Sequence, residues 1–409
     1  MRHPMATIEP GIPRGAHNPE ETRGGDRDDR EVRLRVEETL RHHVAERCEE
    51  AEGVDDVFRA QLAAAVSTFA LRGGKRMRAA FLWWGWRAAG GDPDGRDAPA
   101  VLRIAAALEL LQTCALIHDD VMDDSALRRG RPALHVDFAH RHRQDGMLGD
   151  PGTYGRSVAT LAGDLALAWA DDLFAESLPD GPARRGAQGV WRAMRTEMVA
   201  GQFLDLHTQA TGRPSAATAL RVAYLKSALY TVERPLHLGA VLGGADDELV
   251  GGLRFVGHNA GLAFQLRDDL LGVFGDPRRT GKPAGDDVRQ GKTTYLVALA
   301  LARAEALGDE EARAVLRRSL GDRTLTPERL ARFRDVLIDL GVRAAVEERI
   351  ERLGEIAVRR LRRVCDDPLV ARRLAAMVRA ATGTDGGTGT DDGPGPDSGT
   401  GPASGTGTR

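Results

Sequence analysis

Between residues 31 and 364, apolar side chains recur at three- and four-residue spacing, and no run alternates β-branched with polar residues. Stretches such as EVRLRVEETLRHHVAERCEEAE, FRAQLAAAVSTFAL and VRAAVEERIERLGEIAVRRLRRV are dominated by Ala, Leu, Arg and Glu, which are good helix formers. Residues 103–111 and 161–170 are apolar on most faces, so both are expected in the middle of a bundle. The pattern predicts an all-α protein: a single large helical bundle. With 42% apolar residues in 409, such a core is well supplied. The ends read differently. Residues 1–30 are rich in Pro, Gly and charge, and 382–409 in Gly, Thr and Asp. Both are expected to be disordered, solvated tails flanking a domain at 31–381.

Charge and cysteine content narrow the function. The formal net charge of −3 argues against a general polyanion binder, so no nucleic-acid partner is expected. Cys48, Cys114 and Cys365 are odd in number and far apart, which fits neither a disulfide framework nor a zinc spacing. They predict a reducing, cytoplasmic setting. No secretory leader is expected, and no apolar run of membrane-spanning length.

The chemistry is concentrated in two acidic clusters. In LIHDDVMDDSALRRGRPALH, residues 116–135, Asp119, Asp120 and Asp123 take positions i, i+1 and i+4 at the end of an apolar helix. That spacing puts carboxylates on adjoining faces, where they repel one another unless a cation is bound. Hard oxygen ligands at this density suit magnesium or manganese rather than zinc. The competing reading is a solvated acidic face, but the flanking ALELLQTCALI is strongly apolar. A second cluster, Gln265, Asp268 and Asp269, ends the apolar GHNAGLAFQL and is followed by a loop with Lys282, Asp286, Asp287, Arg289 and Lys292. Two such helices facing one cavity would hold two or three divalent ions on a diphosphate.

Cationic groups complete the pattern. LRGGKRMRAAF sets Lys75, Arg76 and Arg78 behind Gly73 and Gly74, either as a phosphate-binding turn or as a helix start with exposed basic residues. Arg128 and Arg129 follow the first acidic cluster. Lys226 stands in the mostly apolar YLKSALYTVERPLHLGA, either as a phosphate ligand or snorkelling to the surface. Two metal-type and two phosphate-type sites together suggest two phosphorylated substrates, one of which needs no metal.

These motifs, in this order, resemble the trans-isoprenyl diphosphate synthases of the farnesyl, geranylgeranyl and polyprenyl type. The resemblance rests on GGKRMR, HDDVMDDSALRRGRPALH, GQFLD, KSALYTVERP, QLRDDLLGVFGD, GKPAGDD and GKTTYL, and spans 31–381. It implies that Asp119, Asp120, Asp123, Asp268 and Asp269 bind magnesium on an allylic diphosphate, with Gln265 beside them. It implies that Lys75, Arg78 and Arg129 bind isopentenyl diphosphate, with Gln112 where several members carry His. Arg128, Lys226, Lys282 and Lys292 are implied at the allylic diphosphate. Ser227 and Gln202 are implied near the developing cation, and Asp205 near the metals. Gly272 departs from the family pattern, standing where many members have a third Asp in the second motif, with Asp276 close by. A helical bundle around a central active-site cavity and a homodimer are implied as well.

Product length is expected from the residues before Asp119. Ala115 and Cys114, four and five positions upstream, are small, where members that stop at fifteen carbons often carry an aromatic ring. Leu111 and Leu108 lie one turn deeper, a turn being about 5.4 Å. Geranylgeranyl diphosphate is the favoured product, with longer polyprenyl and farnesyl products as alternatives. Trp83, Trp84 and Trp86 are read as core. The rivals are a class I terpene cyclase, a metal phosphohydrolase built on His118 and Asp119, and a non-catalytic partner subunit. The first has no need of GGKRMR, the second wants more buried His, and the third usually loses carboxylates that this chain keeps.

Overall fold

The computed structural model describes residues 19–212, 215–276 and 284–383. Helices dominate. They are α1 (Pro19–Glu52), α2 (Asp56–Phe58), α3 (Ala64–Leu71), α4 (Met77–Ala88), α5 (Ala98–Met122), α6 (Leu134–Gln144), α7 (Pro151–Ser177) and α8 (Pro182–Thr211). Next come α9 (Ala216–Ala223), α10 (Arg234–Leu242), α11 (Asp247–Phe274), α12 (Asp286–Arg289), α13 (Tyr295–Leu307), α14 (Glu310–Ser319), α15 (Pro327–Asp339), α16 (Val342–Val364) and α17 (Pro368–Thr382). Two π-helical segments, Arg59–Ala63 and Tyr224–Glu233, interrupt the α series. Among the described residues, the only strands are Leu127–Arg128 and Arg131–Pro132, a small antiparallel ribbon after the first acidic cluster.

α5 lies at the centre and packs most extensively on α7, while α11 packs on α16 and on the second π segment. Apolar burial divides into two clusters. One gathers α1, α4, α5, α7, α10 and the first half of α11 around Phe81, Leu82, Ile104, Leu108 and Leu111. The other gathers the second half of α11 with α13 to α16 around Leu266, Leu296, Phe333 and Leu337. α4 and α10 approach to backbone contact because glycines face each other across them. A Cβ on Gly85 would come within 2.6 Å of the Leu236 carbonyl, and one on Gly239 would overlap the backbone of Leu82 and Trp86.

Trp83, Trp84 and Trp86 are at most 3% exposed, as expected of core. Three expectations need correction. First, α1 begins at Pro19, so the boundary at residue 31 falls inside a helix. Asp29 Oδ1 accepts a hydrogen bond from the buried Trp84 Nε1 at 2.8 Å, a contact that ties this end of α1 to the core. At the other end α17 runs to a buried Thr382 and is capped by Gly383 in the left-handed conformation, so the tail expected from residue 382 begins after the cap. Second, α5 is long and apolar enough to cross a membrane by length and composition, which the linear reading overlooked. Its apolar side chains are spent on the bundle interior. Third, residues 161–170 are not enclosed on all sides, since Leu161 is 56% exposed.

The Asp29–Trp84 contact generates a stability prediction. Asp29→Ala leaves a buried indole N–H without an acceptor and is expected to cost about 1–3 kcal/mol in urea unfolding. Asp29→Asn, which keeps an acceptor oxygen, is expected to recover most of the loss. Equal effects of the two substitutions would show that the indole bond is not what anchors α1.

Candidate active site

The acidic end of α5 is held by cations from three other segments. Arg128, on the small ribbon, donates from Nε to Asp120 Oδ1 at 2.9 Å and lies 3.4 Å from Asp119 Oδ2. Lys226 Nζ, on the second π segment, lies 3.0 Å from Asp119 Oδ1 and 2.9 Å from Asp205 Oδ2 on α8. Lys292 Nζ, just after α12, lies 2.6 Å from Asp123 Oδ2 and 3.7 Å from Asp287 Oδ1. Lys226 therefore does not snorkel to solvent. It is an interior cation between two carboxylates.

Burial and charge oppose each other here. Burial disfavours the Asp119 anion, but Lys226, Lys292 and Arg128 outweigh it and hold the carboxyl down at about 2. Burial raises Asp120 and Asp123, the second helped by the neighbouring Asp119. Burial also works against the Lys226 ammonium, yet Asp119 and Asp205 keep its pKa above the ordinary lysine value. The same balance, with Asp287 and Asp123, raises Lys292.

The second cluster splits in two. Asp268 is exposed and lines a cavity of about 1040 Å³ together with Lys75, Gly272, Asp276, Asp286 and Asp287. Asp269 turns inward. It is 6% exposed, accepts from Gln265 Nε2 at 2.8 Å, and burial pushes its carboxyl up to about 8. Expected partners by sequence, the two residues thus face different environments.

The cationic turn before α4 has an unusual backbone. Its left-handed residue is Arg76, at φ 46°, not one of the glycines. Arg76 points into the core and pairs with buried Glu109 on α5 at 3.2 Å. This leaves Lys75 exposed and directs Arg78 onto Thr231 Oγ1 at 2.8 Å, its guanidinium 4.0 Å over the Tyr230 ring. Gly74 matters because it lacks a side chain. A Cβ there would come 3.1 Å from the Arg129 guanidinium, which donates to the carbonyls of Arg72, at 2.6 Å, and Gly73. Arg129 is thereby held against the turn that carries Lys75 and Arg78. Gln112 on α5 has a buried Oε1 with no hydrogen-bond partner.

Ser227 and Gln202 are both half-buried, and the Gln202 amide approaches Met122 Sδ at 3.8 Å. Cys114, Leu111 and Leu108 are buried, while Ala115 is half-buried. Burial raises the Cys114 thiol to about 12, and its Sγ lies 3.7 Å from His118 Nδ1. His118 Nε2 is 3.0 Å from the Thr160 carbonyl on α7, a bridging role between helices. Lys282 lies outside the described residues.

Sequence reasoning missed the π segment that carries Lys226 and Ser227. Its setting is made by glycines: Gly201 of α8 abuts the Lys226 backbone, and a Cβ on Gly261 of α11 would lie 2.5 Å from the Ala228 carbonyl. The glycines were visible in the sequence, but their partners are distant along the chain. It also missed Glu109, a lone acid in an apolar helix whose burial was the available signal.

Divalent metal fits this arrangement in a particular way. Among the described residues, no three His, Cys, Asp or Glu side chains converge as a ready-made cage. Asp120 Oδ2 is nevertheless buried without a hydrogen-bond partner. An unpartnered carboxylate oxygen among paired ones suits a cation that arrives with water and substrate oxygens, as magnesium does.

The glycine contact gives a second prediction. Gly201→Ala drives a methyl into the Lys226 backbone and is expected to cost about 1–3 kcal/mol by overpacking. It is also expected to lower turnover at least tenfold by shifting Lys226 and Ser227. Gly189→Ala on the same helix meets nothing within 4 Å and is expected to stabilise by roughly 0.5–1 kcal/mol. Thermal unfolding and turnover of both variants check this, and normal turnover in Gly201→Ala would contradict it.

Comparison with known proteins agrees with this geometry. Residues 59–336 match the family model described as polyprenyl synthetase. The chain is 36% identical over 236 residues to the geranylfarnesyl diphosphate synthase of Aeropyrum pernix, covering 57% of this chain and 68% of that protein. It is 29% identical over 294 residues to the geranylgeranyl diphosphate synthase of Saccharolobus solfataricus, covering 71% and 80%. Among solved structures, it superposes with a TM-score of 0.79 on the geranylgeranyl pyrophosphate synthase of Corynebacterium glutamicum complexed with isoprenyl diphosphate and magnesium. That match has 40% identity and covers 85% of this chain and 98% of the other. With its paired acidic helices, its interior lysines and a family match over most of its length, the chain belongs to the polyprenyl synthetase family.

Proposed function

We propose that this protein is a prenyltransferase that condenses isopentenyl diphosphate head-to-tail with an allylic diphosphate, and that geranylgeranyl diphosphate is its main product. The observation that carries the reading is the pairing of the α5 carboxylates with Lys226, Lys292 and Arg128, with Lys292 also reaching Asp287, which lines one cavity with Asp268 and Lys75. Acid and base in excess at one place suit a polyanion that comes with cations, and the separate turn suits a second phosphate that needs none.

In this reading Arg128, Lys226 and Lys292 bind and orient the allylic diphosphate, and Lys75, Arg78 and Arg129 bind isopentenyl diphosphate. Asp119, Asp120, Asp123 and Asp268 would hold two or three magnesium ions, which when bound supply positive charge that stabilises the departing diphosphate. Asp269 faces the core and accepts from Gln265 one turn earlier on the same helix. The allylic C–O bond breaks, and the Ser227 hydroxyl and Gln202 amide present dipoles to the resulting carbocation. The isopentenyl double bond closes on that cation, and the proton it sheds goes to the released diphosphate. The apolar wall of α5 excludes water from the cation.

Product length rests on α5. Ala115 and Cys114 leave room beyond the carboxylates, and buried Leu111 and Leu108 supply a floor. Among family relatives the names include farnesyl, geranylgeranyl and geranylfarnesyl synthases, so the family alone does not set the length. We also read the protein as a cytoplasmic homodimer that binds neither nucleic acid nor membrane. The free cysteines support the first part. Exposed Leu161 on α7 and Val199 and Phe203 on α8 support a covered face.

The test is a product assay with magnesium, labelled isopentenyl diphosphate and separate five-, ten- and fifteen-carbon allylic starters. A twenty-carbon alcohol is expected after dephosphorylation, with Asp119→Ala lowering its yield at least a hundredfold. Cys114→Phe is expected to shorten the product to fifteen carbons. A longer ladder from the unaltered protein would sink the leucine floor, and no incorporation from any starter would overturn the reading.

A further inference from the structure

The two acidic clusters are not equivalent. On α5 the carboxylates occupy one position, the next, and the one a turn later: Asp119, Asp120 and Asp123. On α11 the pattern begins in the same way with Asp268 and Asp269, but Gly272 stands a turn later. Positions i and i+4 share a helix face. The second cluster therefore lacks the carboxylate that would stand beside Asp268, and its other member, Asp269, is turned into the core.

Another segment fills that volume. A Cβ built on Gly272 would lie 2.7 Å from Oδ2 of Asp287, and among neighbouring segments it meets only that carboxyl within 4 Å. Asp287 is carried on α12, and the N–H of Gly285 donates to the Gly272 carbonyl at 2.9 Å, tying the base of α12 to this turn of α11. The other oxygen of Asp287 faces Lys292 Nζ at 3.7 Å. Asp268, Gly272 and Asp287 line the same cavity. The missing carboxylate has thus been replaced from outside the helix, and the glycine is what lets it in.

We propose that Asp287 supplies the third carboxylate of the second cluster and, with Asp268, holds a divalent cation on the substrate diphosphate. This rests on the reading that metal and diphosphate meet at this cavity. It makes Gly272 a specific requirement: a side chain there would collide with the group that replaces it.

The test moves the carboxylate. Thermal unfolding of the full-length protein is followed with inorganic diphosphate present while magnesium is titrated, alongside turnover. Asp287→Ala is expected to raise the magnesium needed for half-maximal stabilisation about tenfold, the usual scale for losing a supporting group at a metal. Gly272→Asp alone crowds two carboxylates and is expected to weaken magnesium binding as well. Gly272→Asp combined with Asp287→Ala restores one carboxylate on that face, and is expected to return the magnesium dependence to near that of the unaltered protein. An unchanged dependence in Asp287→Ala, or a double variant no better than Asp287→Ala, overturns the inference. Should the double variant fail to fold, the isosteric Asp287→Asn decides by the same criterion. If the unaltered protein gains no magnesium-dependent stability, the functional reading fails and this inference with it. Failure confined to the variants sinks this inference alone.

Discussion

Three cations hold the centre of this molecule together. Arg128, Lys226 and Lys292 each reach a carboxylate of α5, and two of them reach a second carboxylate on another segment. Removing one partner from such a buried pair strands the other charge, at a cost of several kcal/mol. The pairs thus allow an acidic helix end to fold inside a protein without metal. They also pair both signs of charge within the protein, so a ligand that separates them must offer new partners to both at once. A diphosphate accompanied by divalent cations does this: its oxygens take the lysines and arginine, and its cations take the carboxylates.

The position of these pairs follows from the packing. α5 belongs to one apolar cluster and the acidic end of α11 to the other, so the site lies at their seam. The π segment bridges that seam, with Tyr230 in the first cluster and Ala228 in the second. Close approach of Gly201 and Gly261 sets its height against α8 and α11. Lys226 and Ser227 are thereby placed by backbone contact, which leaves less freedom than side-chain packing would. The cationic turn uses the same economy, since Arg76 is drawn inward by Glu109, Arg78 is held on Thr231 and Tyr230, and Lys75 is left facing out.

Much of this was legible in the sequence, because it depends on local pattern. Helical spacing gave the all-α bundle, and Asp119, Asp120 and Asp123 announced themselves by spacing at the end of an apolar run. What depends on contacts between distant segments was hidden. Asp29 reads as part of a charged tail until Trp84 is seen across from it. Lys226 reads equally well as snorkelling until Asp119 and Asp205 close on it. Gly272 reads as a lost carboxylate, and only the fold shows Asp287 in the space it leaves. Asp268 and Asp269 are neighbours in sequence, yet one faces the cavity and the other the core.

The central claim is that Asp119, Asp120 and Asp123 are paired with the protein's own cations until diphosphate takes those cations away. Calorimetric titration of magnesium, with and without saturating inorganic diphosphate, tests it most directly. The account predicts that magnesium binds at least tenfold more tightly with diphosphate present, a coupling of about 1.4 kcal/mol or more. Equal affinity in the two titrations would contradict it, because the carboxylates would then be open to metal from the start.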